Sequence, residues 1–186
     1  MDDNLLGQLL ISMPNLRDPR FEKTVILICE FTEEAVMGLI LNKKIENLTL
    51  GNLFEKTKIS KSSKIIDQAI YFGGPVHTKQ GFILHSNDKN YKTTEKILTN
   101  VSLTTSIEIL EDFSSNQGPN FKRIFLGCSV WDYHQFNREM LENSWLTLKA
   151  SEDLIFDQKL DDTLWNLCML KLGIKTENLV SFYGNA

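Results

Sequence analysis

Proline and cysteine are scarce in this chain, at 4 and 3 of 186 residues. That supply excludes a disulfide scaffold and any collagen-like or Pro-rich polymer. Cys29, Cys128 and Cys168 form no CxxC pair and no Cys/His ligand spacing, and each sits in an apolar run, which suits reduced thiols in a cytosol. Long hydrophobic runs are missing too: Val25 to Cys29 and Ala35 to Leu41 fall far short of the roughly 20 residues that a membrane helix needs. The opening Met1-Asp2-Asp3-Asn4 is acidic, and the apolar stretch after it is broken by Gln8, Ser12 and Pro14. Neither a secretory signal nor a transit peptide fits, so the expected location is the cytoplasm, and the glycosylation sequons at Asn47 and Asn100 are coincidental. Excess positive charge is also lacking. With 20 Lys plus Arg against 24 Asp plus Glu the formal charge is -4, so nothing global draws the chain to a phosphate backbone or an anionic bilayer.

What is present is a core. Hydrophobic residues make up 42% of the chain, enough for one globular domain over residues 1–186, and no repeat or linker divides it. The first half reads as strands: Gly7 to Ser12, Thr24 to Phe31 and Val36 to Asn42, with Thr32-Glu33-Glu34 short enough for a hairpin turn. Val25-Ile26-Leu27-Ile28-Cys29 shows no polar alternation, which predicts a strand covered on both faces. Thr49 is placed to cap a short helix through Leu53, Phe54 and Lys56, and the polar stretch Lys56 to Lys64 reads as exposed and mobile. Ala69 to Phe72 and Gly81 to His85 read as strands around Gly73-Gly74-Pro75-Val76. In the second half, Thr105-Ser106-Ile107-Glu108 matches a capping box for a helix through Phe113. Phe121 to Ser129 is a strand, and Asp132 to Gln135 starts a helix with Phe136, Met140 and Leu141 on one face. Trp145 to Leu148 is a strand, Ser151 caps a brief turn, and Asp161 or Asp162 caps a last helix with Leu164, Leu167, Cys168 and Leu172 inward and Gly173 just past its end. Many strands with short, irregularly spaced helices predict an α+β fold, not a doubly wound sheet.

Four stretches carry a family likeness: Leu9-Leu10-Ile11-Ser12-Met13-Pro14 with Leu16, Asp18-Pro19 and Phe21; Val36 to Asn42; Gly73-Gly74-Pro75-Val76 with Gly81 to His85; and Trp131 to Trp145 with Leu146. In this order they resemble the YqgE/AlgH family of bacterial proteins of uncharacterised function, also called UPF0301, over nearly the whole chain. The resemblance implies a single domain with a strongly bent, branching, mostly antiparallel or mixed β-sheet, folded into a barrel-like body with short helices outside. It also brings a label, borne by one member, of transcriptional regulation of exopolysaccharide synthesis, and no established catalytic residue. Val130 and His134 stand where the family usually has Gly, and Lys43-Lys44 where it usually has Arg-Pro.

Six residues are candidate ligand contacts: Arg17, Asn42, Gly73, Gly74, His85 and Trp131. The Gly73-Gly74 turn offers a nest of backbone N–H groups for an anion, but it lacks a following Lys-Ser/Thr and a strand-to-helix context, so a tight strand connection outweighs a phosphate loop. Arg17, with Asp18 and Arg20, lies in a loop where a guanidinium grips a carboxylate or phosphate, against an internal Arg–Asp or Arg–Glu pair that staples the loop. His85 beside Ser86 suggests a hydrolase, yet no GxSxG elbow and no third member accompany it, so a hydrogen-bonded strand-end histidine is favoured. Cys128 precedes a helix start that lowers a thiol pKa, against the commoner inert core cysteine. Trp131, Trp145 and Trp165 suit stacking on a planar ligand and suit a core better. Glu139 and Glu142, one helical turn apart, are read as facing solvent together. No metal-ligand spacing and no cofactor motif occurs. Three function classes follow. A non-enzymatic regulatory protein binding a small molecule or a protein partner is favoured; a hydrolase-like enzyme using His85 is the alternative; direct DNA binding ranks last, because no helix-turn-helix carries basic recognition residues.

Overall fold

The computed structural model describes residues 4–16, 18–57, 59 and 68–175. The continuous apolar run becomes β2 (Val25–Phe31), between β1 (Gln8–Ser12) and β3 (Ala35–Ile40). Its side chains alternate between two cores, as double coverage demands: Val25, Leu27 and Cys29 enter one apolar cluster, Ile26 and Ile28 another. At the β2–β3 turn the Thr32 hydroxyl accepts the Ala35 N–H at 3.0 Å. Next come β4 (Lys44–Thr49), α1 (Leu50–Thr57), β5 (Ala69–Phe72), β6 (Val76–Ser86), β7 (Glu95–Leu98) and β8 (Val101–Thr104). The rest is α2 (Glu108–Ser114), β9 (Lys122–Asp132), α3 (Tyr133–Leu141), β10 (Trp145–Lys149), α4 (Glu152–Phe156) and α5 (Leu164–Lys171).

Among the described residues ten strands form one sheet in the order β10-β1-β2-β3-β9-β6-β8-β7, with β5 parallel to β9 and β4 beside β5. All other pairings are antiparallel. β9 is the branch point. Its first half lies between β5 and β6, and its last four residues pair with β3. The sheet curls until a Cβ at Gly7, the residue preceding β1, would touch Leu98 at the end of β7, so the body is a half-barrel of α+β class. α3 covers the cluster around Ile26, Trp131 and Trp145; α1 and α2 cover one around Ile70, Ile83 and Ile124; α4 and α5 close the largest, around Leu27, Tyr71 and Phe125.

β9 serves all three clusters through one irregularity. Phe125 faces the largest cluster, and so does Cys128, which breaks the period of two. Gly127 between them has φ +73°, a left-handed residue that inserts a bulge and turns Trp131 to the opposite face. A side chain is excluded there: a Cβ on Gly127 would lie 2.4 Å from the Gly74 carbonyl oxygen, and one on Gly74 2.3 Å from the Cys128 carbonyl carbon. The Gly73-Gly74 turn is therefore glycine because the β9 backbone runs against it.

Several local expectations change. β4, β7 and β8 are strands the sequence reading missed, and β6 begins at Val76 instead of Gly81, with residues 77–80 bulging outward where β6 shifts register against β9. The Thr105/Glu108 capping box does not form: Thr105 bonds the Thr93 hydroxyl, and the Glu108 N–H reaches Ser106 Oγ at 3.4 Å. At α1 the Asn52 carboxamide reaches back to the Thr49 N–H and hydroxyl, at 2.9 and 3.1 Å. The Asp132 cap holds, its carboxylate accepting the Gln135 N–H at 2.9 Å, but Leu141 is 83% exposed and not inward. Ser151 leads α4 without a side-chain cap. α5 starts after Thr163 and ends at Gly173, φ +77°, with the paired Gly173 and Ile174 N–H bonds of a Schellman motif. Neither Asp161 nor Asp162 caps it; Asp161 is buried. Most of the stretch expected to be mobile, residues 58 and 60–64, lies outside the described residues.

Candidate functional site

The loop from Met13 to Thr24 joins β1 to β2, and among its described residues the one regular element is a 3-10 turn, Pro19–Phe21. Its conformation is held by side chains. Ser12 Oγ and Asn42 Oδ1 accept the N–H groups of Thr24 (2.8 Å) and Val25 (2.9 Å). Asn42 Nδ2 donates to the Lys23 carbonyl and Lys43 Nζ to the Arg20 carbonyl, at 2.9 and 3.0 Å. Asp18 accepts both the Arg20 N–H and its guanidinium, at 2.6 Å for the shortest contact, so the internal Arg–Asp staple is Arg20 with Asp18. That guanidinium holds the Asp18 carboxyl below its usual range. Arg17 lies outside the described residues.

Beneath this loop is a cavity of about 270 Å³, lined by Ser12, Met13, Pro14, Leu16, Pro19 and Trp165, with Glu22 and Lys23 at its edge. Trp165 is locked as its wall because its indole N–H donates to the Ser12 carbonyl at 2.8 Å. On the other side of the loop Phe21 inserts between Trp131 and Trp145, with ring centroids 6.0 and 5.6 Å away. The two indoles meet edge to face at 5.8 Å, and both N–H groups donate to one oxygen of Glu139, at 3.1 and 2.8 Å. Gln135 donates to the other oxygen at 2.8 Å. Glu139 thus organises the aromatic cluster, where the sequence reading had left it with Glu142 in solvent.

Of the expected contacts, Asn42 and Trp131 both touch this loop, Asn42 at Lys23 and Trp131 at Phe21. Gly73 and Gly74 lie one strand away: the Gly73 N–H donates to Leu126, and its carbonyl receives Ile40 N–H and Ser129 Oγ. Those bonds leave Gly73 no free N–H for an anion. His85 pairs with Lys122 at the other end of β9 from Trp131, a separation of roughly 30 Å along an extended strand. It is fully buried, with Nδ1–H donating to the Ser86 carbonyl at 2.9 Å, the Tyr91 ring against it at 5.6 Å, and Nε2 without a partner among the described residues. Burial pulls its imidazole below the ordinary histidine value. The Ser86 hydroxyl bonds Asp88 instead, so the pair is not arranged as nucleophile and base. Cys128 is buried in β9 and burial raises its thiol to about 11, the opposite of activation.

A second polar cluster went unread in the sequence. Arg123 of β9, buried, donates to Asp161 and, at 2.6 Å, to the Ile155 carbonyl; its guanidinium lies 4.1 Å from the Tyr71 ring centre. Asp161 also receives the Tyr71 hydroxyl at 2.7 Å and Lys44 Nζ at 3.0 Å. Burial draws the guanidinium down from its usual range, while the Tyr71 contact opposes the shift. The cluster ties the segment carrying α4 and α5 to β4, β5 and β9. In the sequence Arg123 follows Lys122 at the start of the apolar run Ile124-Phe125-Leu126, so nothing local marks it as the buried one of the two.

Among the described residues no group of three His, Cys, Asp or Glu is arranged to hold a metal, and no helix is long and apolar enough to cross a membrane. The AlgH-like family model matches residues 9–177. UPF0301 proteins from Erwinia tasmaniensis and Pseudoalteromonas translucida are 34% and 36% identical, over 98% of this chain and 100% and 99% of theirs. The solution structure of the AlgH protein from Pseudomonas aeruginosa superposes with a TM-score of 0.81 at 31% identity, covering 100% of this chain and 98% of that one. A crystal structure from Corynebacterium diphtheriae shares the fold at 18% identity, with a TM-score of 0.72 over 91% of this chain and 88% of that one.

Proposed function

The chain belongs to the AlgH-like family, and on that premise we propose that it is a single-domain cytoplasmic protein that works in regulation by binding a small ligand at the Met13–Thr24 loop. The observation that carries this reading is a preformed cavity under an irregular loop whose backbone is pinned by Ser12, Asn42 and Lys43. Pre-ordered loops on a rigid sheet are where binding sites concentrate, and a small pocket walled by Met13, Pro14, Leu16 and Trp165 suits an apolar or planar ligand group, with Glu22 and Lys23 for its polar end. Buried, unpaired cysteines agree with a reducing compartment. The regulatory role rests on the family label alone.

The test is a thermal-shift screen of the full chain against nucleotides, sugar phosphates and common metabolites, since a ligand that binds only the folded state raises the melting temperature by mass action. The expected hit is saturable and lost in Leu16→Trp, which fills the cavity. A silent screen, or a hit indifferent to Leu16→Trp, overturns the small-ligand reading in favour of a protein partner. Salt-sensitive binding of duplex DNA near physiological ionic strength would revive the DNA-binding alternative.

A further inference from the structure

Far from that loop, where β9 begins, an aromatic pair stands at the surface. Phe121 is 56% exposed, and its ring stacks on Phe156 of α4 with centroids 5.9 Å apart and planes 26° from parallel. An apolar ring left in water costs free energy unless something covers it. The presentation is rigid: Ser86 binds the Phe121 backbone from both directions, its Oγ accepting the Phe121 N–H at 3.0 Å and its N–H donating to the Phe121 carbonyl at 3.0 Å.

The two rings floor an open groove of about 360 Å³ whose other walls are Glu152, Asp153 and Asp157. Among the described residues none of these carboxylates is in an ion pair. Glu152 accepts the Asn100 side-chain amide at 2.7 Å and Asp157 the Lys159 backbone N–H at 3.0 Å, both neutral donors. Asp157 feels the buried Arg123, whose ion pair is with Asp161, so the groove's unshared negative charge is that of Glu152 and Asp153. The neighbouring Lys122 points elsewhere, its Nζ 5.1 Å from the Phe113 ring. Stacked phenyl faces bordered by carboxylates with no direct ion pair describe the complement of one side chain in particular. Arginine is planar, so it lies flat on an aromatic face; it presents several N–H donors in its plane to carboxylates; and it desolvates more readily than an ammonium.

We propose that this groove is a docking surface for an arginine-bearing segment of a partner protein, whose guanidinium stacks on Phe121 while Glu152, Asp153 and Asp157 take its N–H donors. The site is independent of the loop cavity, and neither reading needs the other.

A fluorescein-labelled GSRLRSG peptide, titrated by anisotropy with the full chain, tests it, with backbone amide shifts mapping the contact. Binding is expected to perturb the amides of Phe121 and of residues 152–157. It should weaken about tenfold in Phe121→Ala and in Asp153→Asn, each retaining the wild-type melting temperature, and be weaker for the lysine version GSKLKSG. No saturable binding, equal binding by wild type and Phe121→Ala, or equal binding of the arginine and lysine peptides overturns the proposal. A concentration-dependent dimer abolished by Phe121→Ala overturns it too, because the groove's occupant is then a second copy of this chain.

Discussion

Two carboxylates on the helical periphery reach back to β9, and they do so under opposite conditions. Glu139 on α3 is half-buried and accepts only neutral N–H groups, from Trp131, Trp145 and Gln135. Asp161, before α5, is buried and faces a buried cation, with Tyr71 and Lys44 completing its shell. The first is an anchor that water can partly replace. The second is a charge pair in which each member is tolerable only because the other is there. The same chemical group therefore carries different stakes at the two ends of one strand, and the difference lies in what is left behind when it goes.

That contrast is sharpest under truncation. Asp161→Ala strands the Arg123 guanidinium, whose Nε already lacks a partner, and should cost about 3–5 kcal/mol in urea unfolding. Replacing Arg123 by Leu together with Asp161→Ala should recover part of that loss, because no buried charge remains. Glu139→Ala should cost about 1–3 kcal/mol, the penalty for leaving indole N–H groups short of an acceptor, and shift tryptophan fluorescence through freer Trp131 and Trp145. If the two truncations cost the same, the distinction between them is wrong.

The smallest effect is a titration on the other side of the sheet. His85 is held neutral: its folded value lies below the ordinary one, so the unfolded chain binds the extra proton first as pH falls. Stability from this residue is complete above about pH 6.5 and is lost below it, until the folded value is passed. Protonation would place a buried N–H that has no acceptor among the described residues, while Asp88 acts in the other direction. Unfolding free energies from urea titrations between pH 7.5 and 5.5 should fall with pH by at most ~1.4 kcal/mol per pH unit, and His85→Gln should flatten that slope. Asp18 and Asp88, both held below the usual carboxyl range, contribute only at more acidic pH.

The strands around Val25–Cys29 were readable because continuous apolar runs and short turns act locally. β7 and β8 were not: four residues each, they are strands only because β6 and the turn at Asn100 hold them. β4 hid for a similar reason, since polar Lys44, Glu46 and Asn47 carry no apolar strand pattern and pair only because β5 lies beside them. The capping box at Thr105 was a valid local pattern that lost to a tertiary one, the Thr93 hydroxyl. At the candidate site, two of the residues named from the sequence, Asn42 and Trp131, come to the same loop through Lys23 and Phe21, while the cavity and the partner of each polar group were not legible, because they depend on contacts between distant segments.

By itself the amino-acid order determined the α+β class, the double-faced central strand, the glycine positions and the family, because each depends on side-chain volume, backbone freedom or order along the chain. Only the tertiary structure decided that Glu139 bridges two indoles, that Asp161 neutralises Arg123 instead of capping a helix, and that Phe121 meets Phe156 across a ring of carboxylates. Those partners are 6 to 38 residues apart, and no local preference ranks such encounters. They are chosen by which surfaces the curled sheet brings together and by the cost of burying a polar group alone.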